Sequence, residues 1–174
     1  MAGLTLLVLV RRPIGIQAEE AAVTHVTHLA EAPFDTPAIL EALRAILTTA
    51  QTVAVVGLSD NPDKPSYAVP AYLQSQGYRI IPVNPKLTEA LGEKAYASLD
   101  AIPEPVDVVQ IFRRAEDVPP IAEAAIAKGA RVVWMQPGII SPPAAARAEA
   151  AGLTVVMEAC MRATHQLLRA QGQI

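Results

Sequence analysis

The chain has 174 residues, 52% of them hydrophobic, enough for one domain with a sizeable core and too apolar for a wholly disordered class. A net charge of −3 and a pI near 5.6 exclude a broad basic field for nucleic acid, so any anion recognition is expected to be local. The single cysteine excludes an internal disulfide and fits a reducing cytoplasm.

The apolar run Leu4–Val10 is far too short to span a bilayer, and Arg11 and Arg12 follow it, the wrong order for a secretory signal. No membrane attachment is expected. Residues 1–33 carry no helix or strand pattern that joins the rest, and are expected as a flexible extension to a domain over residues 34–174. His25 and His28 lie within them, but with no Cys, Asp or His cluster nearby a polar tail is favoured over a metal pair.

Thr36 followed by Pro37 opens a helix, with Ile39, Leu40, Leu43, Ile46 and Leu47 at helical spacing. Val53–Val56 is apolar on both faces and reads as a central strand. Ser66 is expected to cap the next helix, which runs to about Gln76 with Val69 and Leu73 inward and Gly77 ending it. Tyr78–Val83, closed by Asn84-Pro85, is the second strand, and Val106–Phe112 the third. A helix carrying Val118, Ile121, Ala122, Ala125 and Ile126 stops at Gly129 before the fourth strand, Val132–Met135. Ser141 caps a helix over Pro142–Ala151, Leu153–Met157 is the fifth strand, and a last helix spans Met161–Ala170.

This five-fold alternation without a hairpin signal implies right-handed crossovers. The expected α/β architecture is a doubly wound five-stranded parallel sheet of order 3-2-1-4-5 with helices on both faces. Its ligand crevice would lie beyond the carboxyl ends of the strands, where the order reverses between strands 1 and 4.

The stretch Val53–Ser66 joins a buried strand to a helix through Gly57 and a polar loop, which places free N–H groups at an anion site. It is not a dinucleotide fingerprint, because positions 57, 59 and 62 are Gly, Ser and Pro. Lys64 and Ser66 could face one phosphate, and Gly57 allows close backbone approach. An NAD site would want a carboxylate at the end of the second strand, where this chain has Asn84, Pro85 and Lys86. A ribose carrying its own phosphate is better tolerated there, with Arg113 and Arg114 adding charge at the same rim. Cys160, beside Glu158, Arg162 and His165, reads as a buried unreactive thiol before a reactive one. No Ser/His/Asp arrangement, metal-ligand cluster or Walker loop is present.

The runs VAVVGLSDNPDKPSYAVPAYLQSQGYRIIPVNP, VDVVQIFRRAEDVPPIAEAAIAKGARVVWMQPGI and GLTVVMEACM together resemble the small bacterial and archaeal CoA-binding proteins. These are similar to the CoA-binding domain at the start of the succinyl-CoA synthetase α subunit, and the likeness covers about residues 35–165. It implies a Rossmann-like fold that binds coenzyme A. Gly57, Leu58, Ser59, Lys64 and Ser66 would then lie at the pyrophosphate, with Asn84, Pro85, Lys86, Phe112 and Arg113 near the adenosine end. Gln136, Pro137 and Gly138 would line the groove toward the pantetheine arm. Two departures stand out: Cys160 is followed by Met161, Arg162 and Ala163 rather than by a Lys and an acid, and the synthetases' phosphohistidine domain is missing.

The expectation is therefore a cytoplasmic, non-catalytic or regulatory module whose partner is a small molecule, CoA or acyl-CoA, and neither nucleic acid nor a membrane. The alternatives are an NAD(P)-dependent oxidoreductase and a component of an acyl-CoA ligase. The segment 161–174, with Leu167 and Leu168, offers a surface for packing into a homo-oligomer.

Overall fold

The computed structural model describes the strand β1, Leu7–Leu9, and residues 36–174. Helix α1, Thr36–Thr49, leads into β2, Thr52–Val56, whose last four residues are buried. Helix α2, Pro65–Ser75, returns to β3, Arg79–Val83. No helix follows β3. Instead a two-residue ribbon, β4 Glu89–Ala90 and β5 Glu93–Lys94, turns through the positive φ of Leu91 and Gly92. Strand β6, Val108–Ile111, passes through a short 3₁₀ turn, Ala115–Asp117, into α3, Val118–Lys128. Strand β7, Val132–Met135, helix α4, Pro142–Ala150, strand β8, Thr154–Met157, and helix α5, Met161–Ala170, complete the chain.

The five expected parallel strands are present, and the doubly wound class holds, but their order differs. The sheet runs β1-β8-β7-β6-β2-β3, which in the numbering of the five predicted strands is 2-1-3-4-5 rather than 3-2-1-4-5. The physical reason lies in β3 and β6. All four residues of β6 are buried, so it requires a neighbour on each side, β2 and β7. Strand β3 contains Pro82, which has no N–H to donate and therefore suits an edge. Its inner groups bond to the β2 side, Arg79 N–H to the Gln51 carbonyl and the Val83 carbonyl to Gly57 N–H, whereas the Pro82 carbonyl faces outward and accepts from Tyr96 N–H. The reversal of strand order thus falls between β2 and β6.

Leu7–Leu9 is a second correction, because it joins the sheet. It pairs antiparallel with β8, Val8 opposite Val156, and covers an edge that would otherwise expose a row of unpaired backbone groups. The remainder of the predicted extension, including His25 and His28, lies outside the described residues.

Each face of the sheet buries its own core. Val56, Val83, Ile111, Met135 and Val155 pack beneath α3 and α4, whose alanines, Ala122, Ala125, Ala144 and Ala148, allow close approach. Val53, Val55, Ile80, Trp134 and Val156 pack beneath α1, α2 and α5 through Leu43, Leu73, Met161 and Leu168. Asp107 ties the amino ends of the strands together. Its carboxylate accepts from Gln51 N–H at 2.7 Å, Thr52 N–H at 3.0 Å and Thr52 Oγ1 at 3.1 Å, and pairs with Arg131 at 3.0 Å. Burial pushes this carboxyl up, but the two amides and the guanidinium outweigh it and hold it below the usual range.

Candidate functional site

The carboxyl ends of β2, β3 and β6 meet at Gly57. Its φ is +90°, and a Cβ there would stand 2.5 Å from the Phe112 carbonyl oxygen. The close approach that this glycine permits is thus between two of the chain's own loops. Its N–H is committed to the Val83 carbonyl at 2.9 Å, while Phe112 N–H bonds the Val56 carbonyl at 2.9 Å. Leu58 is fully buried beneath the loop.

Beyond Leu58 the loop organises itself. The Ser59 hydroxyl accepts from Asn61 N–H at 3.1 Å, and the Asn61 carboxamide accepts from Asp63 N–H at 2.9 Å. The residue that caps α2 is Lys64, in extended conformation, with Pro65 in the first turn. The expected Ser66 cap is therefore corrected: proline suits the first helical position, which moves Ser66 one place inward. Its N–H belongs to the first turn, which has no helical carbonyl to bond.

Asn84 also has a role different from the expected one. Its carboxamide donates to the Leu58 carbonyl at 2.8 Å and accepts from Lys86 N–H at 3.0 Å, so it pins the loop after β2 to the loop after β3. Pro85 and Lys86 are exposed beside it.

Between these loops and α3 lies a cleft of ≈ 370 Å³. Val56, Val83, Pro85 and Arg113, all at strand ends, form one side, and Asp117 and Ile121 belong to the other. Ser98 and Leu99 close it at the outer edge, where the bridge between Val83 and Tyr96 lays the 96–99 segment along β3. The lining is mostly apolar. Of the cations on these loops only Arg113 lines the cleft, and among the described residues Arg113, Lys64 and Lys86 form no ion pair. Arg114, by contrast, pairs with Glu116 at 3.0 Å and Asp117 at 3.7 Å and adds no free charge.

The structure thus brings together Gly57, Leu58, Asn84, Pro85, Phe112 and Arg113, with Lys64 and Ser66 at the start of the adjoining helix. Gln136, Pro137 and Gly138 do not line this cleft. They follow β7, where Gly138 N–H donates to the Glu158 carboxylate at 2.6 Å and Gln136 is buried with no hydrogen-bond partner for its Nε2. Glu158 holds that bond from a positive φ of 58°, uncommon for a residue with a side chain. Cys160 is half-buried at the start of α5. His165, which the sequence only associates with Cys160, accepts or donates at Nδ1 with the Tyr72 hydroxyl at 3.0 Å between α2 and α5. Burial, then the positive charge of Arg169, pushes its pKa down.

Sequence reasoning missed Ser98, Asp117 and Ile121 as cleft residues. Ile121 carries a core signal, and the stretch around Ser98 has no period at all. Among the described residues no group of three or more His, Cys, Asp or Glu could hold a metal, and no helix is long and apolar enough to cross a membrane.

A family model described as "CoA binding domain" matches residues 51–166, a span that contains every loop of this crevice. The chain belongs to the CoA binding domain family. It is 42% identical over 127 residues, 73% of this chain and 94% of the relative, to the uncharacterized protein YneT of Bacillus subtilis (strain 168). Among solved structures it is similar to a hypothetical protein of Pyrococcus horikoshii OT3, with TM-score 0.74 and 35% identity over 88% of this chain and 99% of the other. A more distant likeness joins it to the dinucleotide forming acetyl-coenzyme A synthetase 1 of Ca. Korarchaeum cryptofilum, with TM-score 0.54 and 25% identity, covering 60% of this chain but 25% of that one.

Proposed function

We propose that this protein binds coenzyme A across the carboxyl ends of β2, β3 and β6, without turning it over. One observation carries the reading: a mostly apolar cleft of ≈ 370 Å³ at the strand-order reversal, lined by Arg113, which has no ion pair among the described residues, in a chain of net charge −3. The cleft is large enough for adenine, and its walls suit an apolar ring face. The first turn of α2, with Ser66 N–H and Lys64, suits the pyrophosphate by dipole and charge together. Arg113 and Lys86 stand where a ribose phosphate would be neutralised, and Asn84, already committed to both loops, offers no carboxylate to a ribose diol. The bound thiol arm leaves past Gln136–Gly138. The half-buried, unpaired Cys160 suits a reducing cytoplasm.

Calorimetric titration with CoA and with NAD tests this. CoA is expected to bind at least about tenfold more tightly, since both ligands carry a pyrophosphate but only CoA has a ribose 3′-phosphate for Arg113 and Lys86, where a charge-assisted contact contributes roughly 1.5–3 kcal/mol. Preference for NAD would overturn the proposal. A second reading, that the chain serves as the CoA-holding part of a larger acyl-CoA ligase, is favoured by the likeness to a quarter of the acetyl-coenzyme A synthetase. It predicts co-purification with a separate ligase chain, and CoA binding unaffected by that chain would argue against it.

A further inference from the structure

The parallel strands end on β3 at one side of the sheet and on β8 at the other, and the two edges are built differently. Strand β3 carries Pro82 and the exposed Arg79, and its outward Pro82 carbonyl is taken by Tyr96 N–H at 2.9 Å. Proline, charge and a covering loop are what keep an edge from pairing with another chain. Strand β8, Thr154-Val155-Val156-Met157, has no proline and no charge, and its last three residues are buried. Thr154 N–H donates to the Arg131 carbonyl at 2.9 Å on the β7 side, so the backbone groups of the alternate residues, Val155 and Met157, point outward. Those are the groups that β1 meets. It runs antiparallel, with Leu9 opposite Val155 and Leu7 opposite Met157. A strand of three residues is thus all that covers an edge with no barrier of its own to pairing.

The register of β1 is also the one a second copy of the chain would adopt. Two β8 strands pairing antiparallel about a twofold axis at Val156 set Val155 opposite the partner's Met157, so that the outward groups of both strands are matched. Strand β1 fills those same positions with Leu9, Val8 and Leu7, all uncharged. We infer that the outer edge of β8 is a homodimerisation surface, and that β1 takes the place of a second copy's β8 and keeps the chain monomeric. The arm is separable from the domain. The family match begins at residue 51, and the Bacillus subtilis relative, matched over 94% of its length by 73% of this chain, has too little sequence left for such an arm. A tethered strand competes at an effective concentration on the order of millimolar, which a second copy does not reach in dilute solution. The twofold axis is normal to the sheet, so the carboxyl ends of the strands point opposite ways in the two copies. Both crevices therefore stay open, and the inference is independent of the ligand they take.

The test is sedimentation equilibrium of the full chain beside the variant carrying Leu7→Pro and Leu9→Pro. Proline removes the N–H groups that these residues present to β8 and unseats the arm without touching the domain. At about 100 µM the wild type is expected at 18.4 kDa and the variant at about twice that mass, falling back on dilution. Amide exchange locates the contact: Val155 and Met157 should be protected at least about tenfold more in the concentrated variant than in the diluted one. A synthetic peptide of residues 4–12, added in excess, should return the variant to monomer. Leu9→Pro alone is the milder change and serves if the double variant does not fold. A variant that stays monomeric at every concentration would overturn the inference, as would a dimeric wild type or a dimer whose Val155 and Met157 amides exchange freely. Loss of the native fold in both variants would overturn it too, because β1 would then be an integral strand of the sheet and no removable cover.

Discussion

Replacing Gly57 with alanine separates two costs that are usually confounded. At φ +90° an L residue is strained, which costs of order 1–2 kcal/mol. The new methyl would also stand 2.5 Å from the Phe112 carbonyl oxygen and 3.1 Å from Arg113 Nε, and the first of these is backbone that cannot rotate away. Forcing β6 and its loop apart to admit the methyl adds about 1–3 kcal/mol, the range for overpacking a well-fitted site. Gly77 supplies the control, because its φ is +97° and a Cβ there meets nothing within 4 Å. Gly77→Ala should therefore show the conformational cost alone, about 1–2 kcal/mol, and Gly57→Ala roughly 2–5 kcal/mol. Urea unfolding of the two variants beside the wild type measures both through the shift in midpoint at constant slope. Since Arg113 moves with the displaced loop, Gly57→Ala should also weaken CoA binding while Gly77→Ala leaves it unchanged. Equal destabilisation by the two substitutions would refute the view that Gly57 exists to let the loops of β2 and β6 touch.

Asn84→Asp keeps the acceptor for Lys86 N–H but turns a carboxylate toward the Leu58 carbonyl, and should cost about 1–3 kcal/mol in urea unfolding; an unchanged midpoint would mean that Asn84 does not hold the loops together. Asp107→Ala strips the acceptor from two backbone amides, a hydroxyl and Arg131 at once, with an expected loss of about 2–3 kcal/mol that thermal melts at neutral pH would register. His165 has a lowered pKa in the folded state, so between that value and the ordinary value of about 6.5 the unfolded chain binds more protons, and its contribution to stability is present above pH 6.5 and lost as pH falls through the folded value. A melting series from pH 7.5 to 5 should show stability falling with acid, less steeply in His165→Gln, and identical slopes would remove His165 from the explanation.

Where one residue type fixed the local choice, the sequence could be read directly. The apolar block Val53–Val56 is buried and central as its two-sided hydrophobicity requires, and α5 spans Met161–Ala170 as expected. Strand order was misread, since the expected 3-2-1-4-5 places β3 inside the sheet; the signal against it was Pro82, whose missing donor suits the edge that β3 occupies. Counting alternations cannot rank neighbours, because each parallel strand offers the same ladder on either side. The N-cap was misplaced because Ser66 has a capping side chain and Lys64 does not, yet Pro65 determines where the helix begins. Asn84 was visible as a non-carboxylate at the end of β3, but its bonds to Leu58 and Lys86 cross between loops and have no local signature. Ser98 was invisible for the same reason, since the segment after the β4–β5 ribbon is held by tertiary bonds from Tyr96 to Pro82 and Asn84 rather than by any period of its own.

The most direct measurement is amide chemical-shift mapping of the isotope-labelled protein as CoA is added. The account predicts that the largest changes fall on Ser66, Arg113, Ser98 and Ile121, around the cleft at the ends of β2, β3 and β6. It would be contradicted by changes confined to the other large concavity, formed by Leu40, Arg44 and residues 171–173 on the helical side, or by no change at all.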